Sequence, residues 1–325
     1  MSIKILQCDC RLTLATLPEK SVHCCVTSPP YWGLRDYGCD GQIGLEKTLE
    51  QYVAAMVGVF REIRRVLRDD GTLWLNVGDS YASHPGQRNP TDAAGSLKQL
   101  SNNGSIRTGS RSAAGCKPKD LIGIPWMLAF ALRADGWYLR SDIVWAKPNG
   151  MPESVQDRPT RAHEYVFLLS KSERYFYDYD AARLPPLPSS IARLEQHIEN
   201  QTGSARANGG AKTNGTMKAV GGKQRDHSQQ QAGGAALRDV WWISPAQCKE
   251  AHFAAMPDAL ARLCIMAGCP PGGTVLDPFG GSGTTGIAAS LLGRNAILCE
   301  LSEKYIEIMR ARFAETAPLL MEATT

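Results

Sequence analysis

The stretch Thr274–Gly286, which reads TVLDPFGGSGTTG, decides the fold. Its first four residues, Thr274–Asp277, are predicted to form a strand, and a helix is predicted to follow from Thr285 to Leu292. Between them, Gly281, Gly283 and Gly286 have the G-x-G-x-x-G spacing that lets a backbone approach a ligand closely. A strand, a glycine loop and a helix in this order are the core of a nucleotide-binding βαβ unit.

Two acidic side chains complete this unit. Glu300 ends the next predicted strand, Asn295–Glu300. There its carboxylate can accept hydrogen bonds from both ribose hydroxyls of a nucleotide. Asp277, directly before the turn, can hold an amino group of the cofactor. The alternative interpretation is a tight strand-to-helix turn that binds no ligand.

The position of the glycine loop in the chain bears on the cofactor class. Only 39 residues follow Gly286 in a chain of 325 residues, too few for the further βαβ units of a dinucleotide enzyme. The missing strands must come from the amino-terminal block. There a long amphipathic helix is predicted from Leu49 to Leu67, with Asp69-Asp70-Gly71 ending it and the strand Gly71–Val77 following. This order suits a methyl-donor domain better than a hydride-transfer domain.

A second informative stretch, Thr27-Ser28-Pro29-Pro30-Tyr31, follows the predicted buried strand Val22–Val26. Its two prolines lock φ and stiffen the backbone. With a hydroxyl, carbonyl oxygens and an aromatic ring side by side, this segment can grip a planar amino group. The alternatives are a plain loop and, for Tyr31, a place in the core.

Together the two stretches resemble the β class of S-adenosylmethionine-dependent DNA methyltransferases, which modify exocyclic amino groups. In that family a (Asp/Ser/Asn)-Pro-Pro-(Tyr/Phe) block precedes the target-recognition region and the cofactor glycine block comes last, as here. The resemblance covers most of the chain outside two low-complexity stretches. Four further blocks support it: Gln7–Cys10, Asp142–Asn149, Arg161–Tyr165 and His252–Pro257.

The resemblance implies a catalytic set made of Ser28, Pro29, Pro30 and Tyr31. Hydrogen bonds from the target amino group to the Ser28 hydroxyl and the Pro29 carbonyl would localise the nitrogen lone pair, which is otherwise delocalised into the base. The nitrogen could then attack the methyl group in line, without a covalent enzyme intermediate. Tyr31 would stack on the extruded base, as in base-flipping enzymes.

The implied cofactor is S-adenosyl-L-methionine. By resemblance, Asp9 contacts its adenine end and Phe279 its rings, although Asp9 can also be an ordinary strand-end cap. Because the mechanism needs no acid–base dyad, His163 and Glu164 are interpreted as scaffold. The predicted cofactor-binding set is Asp9, Asp277, Phe279, Gly281, Gly283, Thr284 and Glu300, and no metal site is expected.

The predicted fold is α/β, with a doubly wound, mostly parallel sheet of the methyltransferase type in circularly permuted order. Residues 1–180 are predicted to form the catalytic half, interrupted by a flexible insertion at about 83–118. Residues 251–325 are predicted to form the cofactor-binding half of the same domain. Residues 181–250, which are rich in Gln, Gly, Asn and Ala, are predicted to be a partly disordered target-recognition region.

The distribution of charge favours a nucleic-acid partner. The chain carries a net charge of +4, yet the segments His84–Asp120 and Ala181–Val240 each carry +4 by themselves. The rest of the chain is therefore negative, and the basic segments coincide with the two low-complexity stretches. Such segments suit the phosphates of double-stranded DNA. The alternative is solubilising surface loops that are basic by accident.

Cysteine usage and hydropathy bear on the compartment. The ten cysteines include no pair of Cys-x-x-Cys motifs that would make a zinc site, and buried thiols in a reducing compartment are the better interpretation. No secretory signal and no apolar run of ~20 residues is present. We therefore expect a soluble cytoplasmic protein with no membrane partner. A homodimer is one expected assembly for this class.

The target base and the function class have alternatives. Ser28 in place of Asp favours the N4 atom of cytosine, because family members with Ser there often modify cytosine; the N6 atom of adenine is the alternative. Either would serve a restriction–modification system. A nicotinamide-dependent oxidoreductase would leave Ser28–Tyr31 without a role, and a non-enzymatic DNA-binding protein would explain neither motif. Methyltransferases acting on RNA or protein amides generally place the glycine block first.

Overall fold

The computed structural model of the chain describes residues 1–34, 36–82, 115–150, 152–184, 234–246 and 256–316. Most of the predicted insertion at 83–118, most of the region 181–250 and nearly all of both basic segments lie outside the described residues. The chain divides into two compact units, Met1–Asp178 with Asp239–Thr325, and Tyr179–Arg238. In the second unit, Leu184 and Ala235 form an antiparallel bridge.

The first unit is built on an eight-stranded sheet. Its order is β1-β8-β7-β2-β3-β5-β4-β6. Five of the neighbouring pairs are parallel, whereas β5 is antiparallel to both β3 and β4. The predicted α/β class with a mostly parallel sheet is confirmed. The strands are β1 (Ile3–Gln7), β2 (Val22–Thr27), β3 (Leu67–Val77), β4 (Tyr138–Ala146), β5 (His163–Ser170), β6 (Val240–Trp242), β7 (Thr274–Asp277) and β8 (Asn295–Glu300).

Helices connect these strands and pack on the sheet. In the described parts of the chain they are α1 (Cys10–Thr16), α2 (Leu49–Val66), α3 (Ile124–Ala134), α4 (Asp258–Gly268), α5 (Thr284–Leu291) and α6 (Glu303–Thr316). Helix α2 packs against α1 and α3, whereas α4 packs against α5. None of the described helices is both long and apolar enough to cross a membrane.

Helix α2 shows how the local sequence sets an element and supports the site. Apolar residues at helical spacing give it one buried face, and Thr48 and Gln51 form a capping box at its start, with both hydrogen bonds at 3.3 Å. On the buried face, the Tyr52 hydroxyl donates a hydrogen bond to the Pro30 carbonyl at 2.9 Å. The helix therefore helps to fix the backbone of the proline segment.

The helix ends within one residue of the predicted Leu67, but the predicted start of the next strand at Gly71 is wrong. The chain leaves the helix after Val66, because Leu67 adopts an extended backbone with φ of −67° and ψ of 141° and enters β3. Leu67 pairs with Val22 of β2. Asp69-Asp70-Gly71 therefore lies inside β3, at the point where the register with β2 shifts between the pairs Val22–Leu67 and Cys24–Thr72.

The sheet also contains a strand that the sequence did not predict. Val240–Trp242 runs parallel to β4, with Val144 paired to Val240. Its three residues lie within the region 181–250, to which the sequence assigned target recognition. The carboxyl end of that region is therefore part of the first unit.

The two ends of the chain meet in this sheet. Strand β1 pairs in parallel with β8, from Ile3 opposite Ala296 to Gln7 opposite Glu300. Strand β7 pairs in parallel with both β8 and β2. The amino-terminal and carboxyl-terminal blocks thus form one sheet, as predicted.

Candidate active site

The two informative stretches meet at one edge of the sheet. Because β2 and β7 are parallel neighbours, the residues that follow them lie side by side. Thr27, the last residue of β2, donates a hydrogen bond from its hydroxyl to Asp277, the last residue of β7, at 2.6 Å. Ser28 and the glycine loop therefore start from adjacent points.

Asp277 is buried beneath the glycine loop. Its carboxyl is 3% exposed and also accepts a hydrogen bond from the Phe279 amide at 3.1 Å. Burial raises the pKa of Asp277 to about 6, and the hydrogen bonds from Thr27, Thr285 and Phe279 offset part of that effect. The expected contact between Asp277 and an amino group of the cofactor stays a prediction.

Glu300 holds the loop from the end of β8. Its Oε2 accepts the Gly281 amide at 2.8 Å and its Oε1 accepts the Ser302 amide at 2.9 Å. Burial raises the pKa of Glu300, and these backbone hydrogen bonds partly counter it. The Leu301 amide also bonds to this carboxylate, which has about four acceptor sites, so capacity remains for one further hydrogen bond from a ribose hydroxyl.

Glycine occurs at the three motif positions for different structural reasons. Gly281 has φ of +50°, and the space where a side chain would begin is open, with the Phe279 carbonyl oxygen 3.9 Å away. A Cβ on Gly283 would lie 2.6 Å from Met309 of α6, and one on Gly286 would lie 2.5 Å from Leu298 of β8 and 2.8 Å from Phe313 of α6. The open space at Gly281 suits a close ligand approach, whereas Gly283 lets α6 pack against the loop and Gly286 lets both β8 and α6 pack there.

The remaining predicted cofactor residues lie around this loop. Thr284 begins α5, is 7% exposed, and its hydroxyl accepts a hydrogen bond from Arg312 at 3.2 Å. Phe279 is half-buried and packs against the core. Asp9 lies close to the end of β8, because the Cys8 amide bonds to the Glu300 carbonyl at 3.1 Å.

Asp9 is engaged by its own helix. Its carboxylate caps α1 through the Arg11 amide at 2.9 Å and forms an ion pair with the Arg11 guanidinium. Those bonds to Arg11 lower the pKa of Asp9. Arg11 in turn donates to the Gly41 carbonyl at 2.8 Å. The structure thus shows the capping role named as the alternative, and a contact with the cofactor stays a prediction.

The proline segment presents acceptors beside an aromatic ring. Ser28 is half-buried, and its hydroxyl lowers the pKa of the Tyr31 phenol against the larger raising effect of burial. Among the described residues none donates to the Pro29 carbonyl, whereas Tyr52 occupies the Pro30 carbonyl. The Tyr31 hydroxyl donates to Glu164 at 2.7 Å. The Ser28 hydroxyl and the Pro29 carbonyl therefore have acceptor capacity for a substrate amino group.

A cleft of about 550 Å³ opens beside Tyr31. This volume suits a ligand of the size of a nucleoside. Within its wall the Arg158 guanidinium lies 3.8 Å from the centre of the Tyr81 ring and pairs with Glu153 at 2.6 Å. The lining residues are Tyr31, Trp32, Leu34, Gly78, Asp79, Ser80, Tyr81, Ile124, Pro152, Glu153, Ser154, Val155, Arg158 and Arg161.

The loop fits a nucleoside-type cofactor. It combines an open backbone approach at Gly281, a carboxylate with spare acceptor capacity at Glu300 and a half-buried aromatic ring at Phe279. Among the described residues no cluster of His, Cys, Asp or Glu could hold a metal ion.

Comparisons with known proteins identify the family of this chain. Residues 22–311 match the family model of N6/N4 methyltransferases, described as DNA methylase. The type II methyltransferase M.SmaI of Serratia marcescens is 44% identical over 312 residues, which cover 96% of this chain and 90% of that protein. The type II methyltransferase M.Cfr9I of Citrobacter freundii is 44% identical, covering 92% of this chain and 84% of that protein.

This chain belongs to the N6/N4 DNA methylase family. It is an S-adenosyl-L-methionine-dependent DNA amino-methyltransferase of the β class, as the resemblance implied. The two alternatives, a nicotinamide-dependent oxidoreductase and a non-enzymatic DNA-binding protein, are thereby excluded.

Solved structures share the fold. The cytosine-N4-specific PvuII DNA methyltransferase superposes with a TM-score of 0.63 at 17% identity, covering 100% of this chain and 89% of that one. The Thermus thermophilus protein TTHA0409, solved with S-adenosyl-L-methionine, superposes with a TM-score of 0.58 at 23% identity, covering 98% of this chain and 97% of that one.

The structure adds site residues that the sequence did not single out. Glu164, interpreted as scaffold, reaches Tyr31, and Lys147 and Asn76 bond to the same carboxylate at 2.5 and 3.2 Å. The positions of Lys147 and Glu164 in the blocks that carried the family resemblance were the available signal. His163, the other scaffold residue, packs edge-on against Tyr165.

Replacing Gly281 tests the loop. We expect Gly281→Ala to weaken S-adenosyl-L-methionine binding at least about ten-fold, because the alanine methyl group would fill the open space beside the backbone. An alanine at this positive φ should also lower the free energy of unfolding by about 1 kcal/mol. Gly286→Ala is the matched control: overpacking against Phe313 should lower the free energy of unfolding by about 1–3 kcal/mol. Calorimetric titration and chemical denaturation measure both. An unchanged dissociation constant for S-adenosyl-L-methionine in folded Gly281→Ala would contradict a close approach of the cofactor at Gly281.

The pKa of Asp277 predicts a pH-dependent stability difference. With a folded pKa of about 6 against 3.8 for an ordinary Asp, the folded state binds the proton more tightly, so this group lowers stability as pH rises from about 4 to 6. Asp277→Asn should therefore gain stability over the native protein by about 2 kcal/mol between pH 4.5 and pH 7.5. Denaturation at both pH values measures this, with the surface change Asp258→Asn as control. A pH-independent difference would disprove the argument.

Proposed function

We propose that this enzyme methylates the N4 amino group of cytosine within a specific sequence of double-stranded DNA, acting on a base rotated out of the duplex. The observation that carries the proposal is the pair of acceptors with free capacity in the segment directly before Tyr31, the Ser28 hydroxyl and the Pro29 carbonyl; Tyr31 itself lines the cleft. Ser28, rather than a carboxylate, favours cytosine over adenine by the resemblance already described.

The two acceptors address the chemical difficulty of the reaction. The lone pair of a cytosine amino nitrogen is delocalised into the ring, which makes the nitrogen a weak nucleophile. When both amino hydrogens bond to Ser28 and Pro29, the nitrogen becomes pyramidal and its lone pair localises. S-adenosyl-L-methionine, held by the loop of Gly281 and Glu300, supplies an electrophilic methyl group when bound.

Base rotation follows from the depth of the acceptors. Pro29 is buried and Ser28 is half-buried behind Tyr31, so an amino group inside a stacked duplex would not reach them. The cleft beside Tyr31 has room for one base, and the ring of Tyr31 offers a stacking face. The two predicted basic segments would contact the phosphates.

Nucleoside analysis tests the target base. DNA incubated with the enzyme and isotope-labelled S-adenosyl-L-methionine is digested and its nucleosides are separated. We expect the label in N4-methylcytosine. Label in N6-methyladenine would refute the choice of base while leaving the acceptor geometry intact, and label in C5-methylcytosine would refute the acceptor mechanism itself.

Removing the Ser28 hydroxyl tests the mechanism. We expect Ser28→Ala to lower kcat about 10- to 100-fold, because one of the two hydrogen bonds to the amino group is lost. Dissociation constants for cofactor and DNA should stay within about two-fold. Ser21→Ala, just before β2, is the control, because that hydroxyl only donates to the Pro18 carbonyl in a turn. Turnover equal to the native enzyme would remove Ser28 from the mechanism.

A further inference from the structure

Two sequence blocks without a role in the reaction meet behind Tyr31. Lys147 follows β4 and Glu164 lies in β5, and these antiparallel strands place Trp145 opposite Glu164. The ammonium of Lys147 lies 2.5 Å from the Glu164 carboxylate and 4.4 Å from the centre of the Trp145 ring. The side chains of Lys147 and Glu164 are 18% and 14% exposed. The pair is thus largely withdrawn from water at the inner side of the site.

The Glu164 carboxylate is the centre of this group. Its Oε1 pairs with Lys147, and its Oε2 accepts from both the Tyr31 hydroxyl at 2.7 Å and the Asn76 amide at 3.2 Å. Asn76, 3% exposed, is itself fixed by a bond to the Tyr165 carbonyl. A hydrogen bond from a phenol to a carboxylate is stronger than one between neutral groups. The carboxylate therefore holds the far end of the Tyr31 ring firmly.

A second, independent contact restrains the same ring. A Cβ on Gly78 would lie 2.7 Å from Tyr31 Cε2 and 3.4 Å from the Glu164 carboxyl carbon. Gly78 therefore brings the backbone against the edge of the ring. The contacts at its hydroxyl and along its edge hold the Tyr31 ring in a single orientation. In that orientation the rest of the ring lines the cleft.

We propose that Glu164 is a positioning residue, whose carboxylate, held by Lys147 and Asn76, fixes the Tyr31 ring against Gly78 as a rigid platform for the target base. The inference rests on the proposed role of Tyr31. It replaces the interpretation of Glu164 as scaffold, because the residue acts on the reaction through the phenol of Tyr31.

The choice of substitution matters here. Glu164→Ala would leave the Lys147 ammonium without its partner in a poorly hydrated place, which destabilises a protein for reasons unrelated to Tyr31. Glu164→Gln keeps the shape but offers one acceptor oxygen to three donors. Tyr31→Phe removes the hydroxyl and keeps the ring. Comparing these two changes and their combination isolates the contact between them.

The experiment is a double-mutant cycle on steady-state kinetics. We expect Glu164→Gln and Tyr31→Phe each to lower kcat about ten-fold, with KM for DNA within about two-fold, because phosphate contacts supply most DNA affinity. The double variant should be at most about two-fold slower than either single one. Glu62→Gln, which alters a carboxylate paired with Arg65 on α2, should leave kcat unchanged.

A second readout needs neither cofactor nor DNA. In protein with isotope-labelled tyrosine, the NMR signal of the carbon that bears the Tyr31 hydroxyl can be assigned by its loss in Tyr31→Phe. We expect that signal to move in Glu164→Gln and in Gly78→Ala, and to stay in place in Glu62→Gln. Gly78→Ala should also lower kcat, since its methyl group displaces the same ring.

The outcomes separate this inference from the proposed function. An unmoved Tyr31 signal, or native kcat in folded Glu164→Gln, would overturn the inference while Tyr31→Ala still slows the reaction. A double variant about a hundred-fold slower than the native enzyme would show independent effects and overturn it as well. Native turnover in Tyr31→Ala would refute the role of Tyr31 and the inference together.

Discussion

The hydrogen bond between Thr27 and Asp277 is the contact on which the site depends. It joins the ends of two neighbouring parallel strands that lie 250 positions apart in the chain. The proline segment departs from one strand end and the glycine loop from the other, so a single register places the proposed cofactor loop beside the proposed catalytic segment. This is the general rule that ligands bind at the carboxyl ends of strands in open α/β sheets. In this chain it operates between a strand near the amino terminus and one near the carboxyl terminus.

The same edge concentrates buried acidic groups. Asp277 and Glu300 both have raised pKa values because of burial, and each is held by backbone amides of the glycine loop. Leaving two carboxyls in such surroundings lowers the stability of the protein. The compensation is orientation: the acceptors are fixed by the fold before a ligand arrives, so binding does not have to order them.

Much of this arrangement could be predicted from the sequence because it is local. The predicted strand that ends at Asp277, the glycine spacing and the acid at the end of the next strand define a βαβ unit within 27 residues, Thr274–Glu300. The proline segment could likewise be identified from adjacent residues alone. Features that depend on contacts between residues distant in the sequence were harder to predict. Pairing of Leu67 with Val22 starts β3 four residues before the predicted Gly71, and the three residues of β6 are too few to give a pattern. The packing of α6 explains Gly283, and the packing of β8 and α6 explains Gly286. Glu164 reaches Tyr31 across 133 positions.

The position of β7 and β8 between β1 and β2 has a consequence for how the protein is made. As the chain leaves the ribosome, β2 can pair with β3 on one side, but its other edge waits for Thr274–Asp277. Distant pairings of this kind form slowly and leave strand edges open meanwhile. A translation product that stops before Thr274 therefore lacks the strand that pairs with the second edge of β2 and lacks the proposed cofactor loop, so we expect modification activity only in chains that extend beyond Glu300.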